Sequence, residues 1–172
     1  WSAEVDQVVV CSPDKDLAQL VRGGVIVTWD RRHDVVLDEL GVIEKFGVPP
    51  RSIPDLLALV GDAADGIPGV RRWGAKSASA VLSAYKTIDA IPPDPASWSV
   101  KPRGAVAISS SLEQSRSEAK LYKDLATLRF DVPIAESLDD LEWRGVVRDD
   151  YLTLCDELGF DRLKELPHRW AD

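Results

Sequence analysis

Four aspartates in two close pairs are the side chains best suited to chemistry in this sequence. Asp14 and Asp16 stand two apart in SPDKDLAQLV, and Asp62 and Asp65 stand three apart in GDAADGIPGV. In an extended chain, residues i and i+2 point the same way, and in a helical turn residues i and i+3 share a side. Either pair can therefore present two carboxylates to one ion. Each also has a plainer explanation. Acidic residues in a helix's first turn are stabilised by its dipole, and aspartate favours turns because it bonds its own backbone. Oxygen donors with no histidine or cysteine nearby select hard cations, Mg²⁺ or Mn²⁺. Two such ions ~3.5–4 Å apart serve in-line phosphodiester cleavage, one activating water and the other stabilising the leaving oxygen.

Directly after the second pair the chain turns basic, in PGVRRWGAKS. Gly69 and Gly74 stand where the backbone must turn tightly. Arg71 and Arg72 lie between them, and a helix begins at Ala75 with Lys76 and Ser77 in its first turn. The free N–H groups of such a turn, with a lysine, form a ready phosphate site, and contacts of this kind position a duplex without reading its sequence. A plain αα-turn with solvated basic residues is the alternative. Trp73 reads as a packing anchor between the helices.

Charge along the chain repeats this change on a larger scale. The net charge of -8 argues against nucleic acid, because non-specific binding is driven by Lys and Arg at phosphates. The average hides a division. Residues 1–65 carry 6 basic and 12 acidic side chains, a net of −6. Residues 66–130 carry 10 and 5, a net of +5, and residues 131–172 carry 5 and 12, a net of −7. A central basic third needs a polyanionic partner more than the total suggests.

The elements that must position these residues follow from pattern. VDQVVVC and GGVIVTWD read as short buried strands, with a helix from about Asp14–Asp16 between them. That order begins a parallel α/β layer. LDELGVIEKFG reads as a helix closed by Gly47. SIPDLLALVG has Ser52 as N-cap, Asp55 at the capping-box position, and apolar Ile53, Leu56, Leu57 and Val60 at helical spacing. AKSASAVLSAY repeats the pattern at Ala78, Val81, Leu82 and Tyr85, which makes a helical hairpin around the Gly-rich turn. A Pro-rich connection over 91–102 leads to one or two basic-faced helices in 103–129, and a last helix is expected near DDYLTLCDELGF. A parallel sheet of two short strands cannot cover itself, so either further strands precede Trp1 or helices cover it unusually.

At 172 residues the chain is expected to be one domain with a core of its own. No apolar run approaches the ~18 residues of a membrane span, and WSAEVD lacks the regions of a signal peptide. Cys11 and Cys155 match no metal-ligand spacing and read as buried free thiols in a reducing compartment. His33 and His168 are isolated. These features predict a soluble, cytoplasmic protein.

Three stretches in order, xPDKDLAQLV, FGVPP-x-x-I-x-D-x-LALVGDxxDGIPGV-x-x-x-GAK-x-A and RGA…LATLR-x-DVP, closely resemble the 5′-nuclease family. This family comprises the 5′→3′ exonuclease domain of bacterial DNA polymerase I with its stand-alone and flap-endonuclease relatives. The likeness runs from about Val8 to Pro133. It implies an α/β, mostly helical fragment containing part of a parallel-sheet nuclease core and a helix-three-turn-helix DNA grip. The implied divisions are 1–36 for the core, 37–130 for the helical region and 131–172 for an acidic C-terminal segment. The resemblance makes Asp14, Asp16, Asp62 and Asp65 metal ligands, acting catalytically through Mg²⁺ or Mn²⁺, two ions in the complete enzyme. It makes Gly69, Arg71, Arg72, Gly74, Lys76 and Ser77 the duplex grip, with K⁺ held by turn carbonyls. Implied substrates are duplex DNA with a 5′ flap or 5′ end, including RNA primers in replication and repair. A DNA polymerase partner, a monomer and at most a bacterial nucleoid association are implied too. Two departures stand out: Arg71 and Arg72 occupy a turn where many relatives have Pro-Gly, and Gly66 stands where Asn is common. The family's opening strand, arch and Glu/Asp cluster have no counterpart, so the first metal site is expected to be incomplete and the fragment alone inactive.

Overall fold

The computed structural model describes residues 1–171. In place of one domain, the backbone forms two compact units, Trp1–Phe130 and Asp131–Asp172.

In the first unit, the β-branched run VVV forms β1 (Val8–Val10), parallel to β2 (Ile26–Asp30) with Val9 opposite Val27. The connection is a 3₁₀ helix, Lys15–Leu20, where the pattern predicts an ordinary helix start. Only six residues separate Asp14 from Val21, which is buried, so the tighter and longer-rise helix fits the span. A third strand, β3 (Val35–Leu37), runs antiparallel to β2, making the sheet mixed instead of purely parallel. The hairpin is built by aspartates. The Asp30 carboxylate accepts the amides of Arg32 and His33, and Asp34 takes a left-handed φ of 53°, which Asp tolerates better than most residues.

Helix α1 (Glu39–Phe46) is capped by Asp38, whose carboxylate accepts the Gly41 amide, and ends at Gly47 with φ 73°. Helix α2 (Ile53–Val60) is the centre of the unit. Residues 53–59 are all buried, so this helix is covered on every side, not on one face. The expected capping box is absent. Ser52 makes no side-chain cap bond, and the Asp55 carboxylate instead accepts the Ile88 amide at 2.7 Å. It also pairs with Lys123 at 3.0 Å. A carboxylate surrounded by core must take its partners from the elements packed on it, because burial without them is costly.

Helix α3 (Ala75–Tyr85) buries Ala78, Val81 and Leu82 as its period predicts. The stretch 103–129 gives two helices, α4 (Ala105–Gln114) and α5 (Arg116–Ala126), divided at Ser115. Trp73 is buried, its ring centroid 6.4 Å from that of Trp98, and its Nε1 donates to the Ile108 carbonyl at 3.0 Å. It is a packing anchor as expected, but these contacts run to Trp98 and α4 and not between the hairpin helices. Cys11 is exposed, contrary to expectation, because β1 ends at Val10 and the cysteine falls in the following loop.

The second unit pairs β4 (Val146–Val147) parallel with β5 (Trp170–Ala171) beside α6 (Arg148–Leu158). Cys155 on α6 is buried, and the Tyr151 hydroxyl donates to the Leu163 carbonyl at 2.8 Å. Among the described residues, no helix is long and apolar enough to cross a membrane.

Candidate metal centre and basic turn

The sequence of α2 stops at Gly61, and the next nine residues build a closed loop. The Asp62 and Ile67 backbones exchange hydrogen bonds at 2.7 and 2.8 Å, and the Val70 amide donates to the Leu59 carbonyl at 2.9 Å. At the neck of the loop Gly61 and Gly69 pass each other, with φ of 88° and 74°. A Cβ on Gly69 would lie 2.5 Å from the Gly61 nitrogen, so this crossing admits only glycine. Inside the loop the Asp62 carboxylate accepts the Ala64 amide at 3.1 Å, the turn habit of aspartate. This leaves its other oxygen facing the 3₁₀ helix.

Three of the four sequence-predicted carboxylates meet there. One oxygen from each of Asp16, Asp62 and Asp65 lies within 4.8 Å of the others. Asp62 is buried, Asp16 half-buried and Asp65 exposed. Asp14 stands outside this group: its carboxylate caps the 3₁₀ helix by accepting the Asp16 amide at 3.0 Å. Its negative charge still acts on Asp16. Lys15, between the two aspartates in sequence, forms an ion pair with Asp62.

These neighbours set the local charge states. Burial, reinforced by Asp14, Asp65 and Asp62, pushes the Asp16 carboxyl up to about 6. Asp62 is held below the ordinary carboxylate range, chiefly by its bond to Lys15. Burial pulls the Lys15 ammonium down, but Asp62, Asp16 and Asp65 together lift it above its usual value. A hard divalent cation fits this donor set. Its donors are all carboxylate oxygens, Oδ1 of Asp16 is buried without a hydrogen-bond partner, and the site already attracts the positive charge of Lys15. Lys15 carried a sequence signal that went unassigned, a cation placed between two candidate ligands.

The basic turn follows the loop directly. Gly74 opens α3, its amide bonded by the Ser77 hydroxyl at 3.1 Å, and that hydroxyl donates back to the Gly74 carbonyl at 2.9 Å. Ser77 thus spends most of its bonding within its own turn. Arg72, Gly74, Lys76 and Ser77 line an open groove together with Pro102 and Arg103. Arg71 and Arg72 line a second groove of about 800 Å³ with Ser110, Ser111 and Gln114 of α4. The Ser111 hydroxyl donates to the Arg71 carbonyl at 2.6 Å, which ties the turn to α4. Arg103 and the α4 face were not singled out from sequence; only the positive balance of residues 66–130 pointed there. Arg71, Arg72, Lys76 and Arg103 are exposed and have no acidic partner among the described residues.

Arg72 holds a left-handed φ of 72°, a conformation that costs a non-glycine residue ~1–2 kcal/mol. Strain of this kind persists where the surrounding structure fixes the backbone. Arg72→Gly is expected to raise stability by about 0.5–1 kcal/mol, since relief of strain exceeds the added freedom of the unfolded chain. Denaturant midpoints of the two proteins check this. The same change should flatten the salt dependence of duplex binding by about one unit of slope if Arg72 meets a phosphate.

The mixed sheet, helical hairpin and acidic loop together define a 5′-nuclease fold, and comparison with known proteins places the chain. Residues 48–149 match the family described as 5′-3′ exonuclease, C-terminal SAM fold, and the chain belongs to that family. It is 38% identical over 168 residues to DNA polymerase I of Pseudomonas aeruginosa, covering 92% of this chain and 18% of that protein. It is 42% identical over 120 residues to a 5′-3′ exonuclease of Aquifex aeolicus, covering 69% of this chain and 40% of the relative. The chain therefore spans less than half the length of either. Among solved structures, the 5′-exonuclease of phage T5 with bound zinc superposes with a TM-score of 0.58 at 19% identity, over 70% of this chain and 43% of that one. The phage T5 flap endonuclease in a pseudo-enzyme–product complex with DNA and metal ions gives 0.59 at 18% identity, over 72% and 44%. The fold is shared, and this chain corresponds to part of it.

Proposed function

We propose that this chain carries a divalent-metal site and the duplex grip of a 5′→3′ exonuclease and flap endonuclease. Asp16, Asp62 and Asp65 hold Mg²⁺ or Mn²⁺, with Asp14 adding charge through Asp16. Arg71, Arg72 and Lys76 hold the backbone of duplex DNA and Gly69 shapes their turn; Gly74, expected in a tight turn, has ordinary extended backbone and opens α3, which Ser77 braces. A bound divalent ion supplies charge for water activation and for the leaving oxygen. The residues of this chain fix where a phosphodiester meets that charge. The substrate class is DNA with a 5′ end or flap, as met in replication and repair, and K⁺ at the turn and a polymerase partner belong to the same reading. The observation that carries it is the meeting of three carboxylates, drawn from two separate elements, beside a turn of unpaired cations.

A second reading is a duplex-binding module without cleavage. The ion pair of Lys15 with buried Asp62 favours it, since a cation already held by the central carboxylate competes with a metal ion.

Cleavage of a 5′-labelled flap duplex in Mg²⁺ and Mn²⁺, beside Asp65→Ala, separates the two. Cuts near the junction that need metal and vanish in the variant establish the nuclease in these residues. Salt-sensitive binding with no cuts establishes the grip alone. In either case Asp65→Ala is expected to weaken Mn²⁺ binding by more than about tenfold. Duplex affinity in the absence of metal should move by less than about twofold, because the turn makes those contacts.

A further inference from the structure

The 3₁₀ helix that presents Asp16 is a weak support. It has six residues, and hydrogen-bond geometry in such helices is poorer than in an α-helix. Something beyond its own backbone hydrogen bonds must fix the carboxylate. The Gln19 side chain is placed to do so. Its Nε2 donates to the Asp16 carbonyl at 2.9 Å and to the Ala126 carbonyl at 3.0 Å. Its Oε1 accepts the Leu128 amide at 3.0 Å. One carboxamide thus joins the backbone of a candidate metal ligand to both sides of the α5 C-terminus.

Helix α5 is itself tied to the other half of the site. Lys123, one turn before Ala126, pairs with Asp55 on α2 at 3.0 Å. Helix α2 runs to Val60 and leads through Gly61 to Asp62. Asp16 and Asp62 belong to separate elements that share no regular backbone pairing. Besides the direct packing of the 3₁₀ helix on α2 and the Lys15–Asp62 ion pair, the path Asp16–Gln19–α5–α2–Asp62 links them.

We propose that Gln19 is a positioning residue for the divalent-metal site, acting through the Asp16 backbone. The inference rests on the metal-site reading given above. It extends that reading by making α5, which contributes no ligand, the element that registers the two ligand-bearing segments. Groups that orient ligands without touching the metal typically govern affinity by about 10–100-fold.

The test is Mn²⁺ titration of the 172-residue chain, with free ion read by electron paramagnetic resonance. It compares the parent with Gln19→Met, Gln19→Glu and Asp62→Asn, each at a temperature where circular dichroism shows it folded. Gln19→Met keeps the length and removes all three bonds. Gln19→Glu keeps the acceptor for Leu128 but opposes two carbonyls with a carboxylate. Its added negative charge by itself favours a cation, so a loss of Mn²⁺ affinity in that variant reports geometry. Both are expected to bind Mn²⁺ about tenfold or more weakly, while duplex binding in chelator stays near that of the parent. Lower melting temperatures with parental Mn²⁺ affinity would show a merely structural role and overturn the proposal. If the parent binds Mn²⁺ no better than Asp62→Asn, the metal-site reading itself fails, and the positioning role falls with it. The two failures are therefore distinct.

Discussion

Gly69→Ala is expected to destabilise the first unit by at least about 3 kcal/mol, a melting-temperature loss of roughly 10 °C. The new Cβ would stand 2.5 Å from the Gly61 nitrogen and 2.6 and 2.7 Å from the carbonyl carbon and oxygen of Val60. All three are backbone atoms at the end of a buried helix, so no side chain can swing away to make room. The φ of 74° adds its own strain for alanine. Gly66→Ala is the matched control. Its φ is 70°, but a Cβ there meets nothing within 4 Å, so only the conformational cost of about 1 kcal/mol is expected. Thermal unfolding of both variants isolates the close approach from the backbone angle. Equal losses would mean that the Gly61–Gly69 crossing relaxes easily.

The second large effect is expected at Lys123. It pairs with Asp55, a carboxylate only 1% exposed, inside the core. Burial raises the Asp55 carboxyl above its ordinary range although the Ile88 amide and Lys123 oppose it. Burial likewise depresses Lys123, but Asp55 and Asp89 lift it above its usual value. The two directions agree on one point: the acid bears the desolvation, and the partly exposed lysine relieves it. Lys123→Met should cost about 3 kcal/mol, because an uncompensated charge is left inside. Adding Asp55→Asn should recover most of this, since an amide oxygen can still accept the Ile88 amide.

The pH dependence has a definite sign. A carboxyl whose folded pKa is raised gives stability that is full below its unfolded value of about 3.9 and is lost as pH rises through the folded value. Removing Lys123 raises the folded value further. The deficit of Lys123→Met relative to the parent should therefore be largest near neutral pH and narrow toward about pH 4. Urea denaturation at the two pH values measures it; a deficit independent of pH would mean that lost packing, not charge, dominates.

What sequence could and could not show divides along physical lines. Helices α1 and α3 were legible because Gly47 closes one and apolar period marks the other, both signals acting within a few residues. The loop carboxylates were legible for the same local reason, with Asp62 and Asp65 three apart beside a glycine-rich turn. Strand β3 was hidden because it is short and mostly exposed, and its hairpin depends on Asp34 in a left-handed conformation. Asp55 looked like a helix cap because its true partners, Ile88 and Lys123, come from distant parts of the chain. Asp14 and Asp16 looked equivalent, yet a 3₁₀ turn gives one to the backbone and the other to the site. Gln19 had no signal at all, since its bonds run to residues 126 and 128. Local chemistry was readable; assignments that depend on which elements pack together were not.

The crossing of Gly61 over Gly69 also has a metric consequence. Between the acidic mouth of the loop and the cationic turn the backbone is tied at several points. The Asp62–Ile67 bridge and the Val70–Leu59 bond close the span at both ends, and Trp73 pins its far side to α4. Its length is therefore defined by backbone bonds. On the proposed function, a polyanion held at the turn would meet the carboxylates at a spacing set by these backbone bonds.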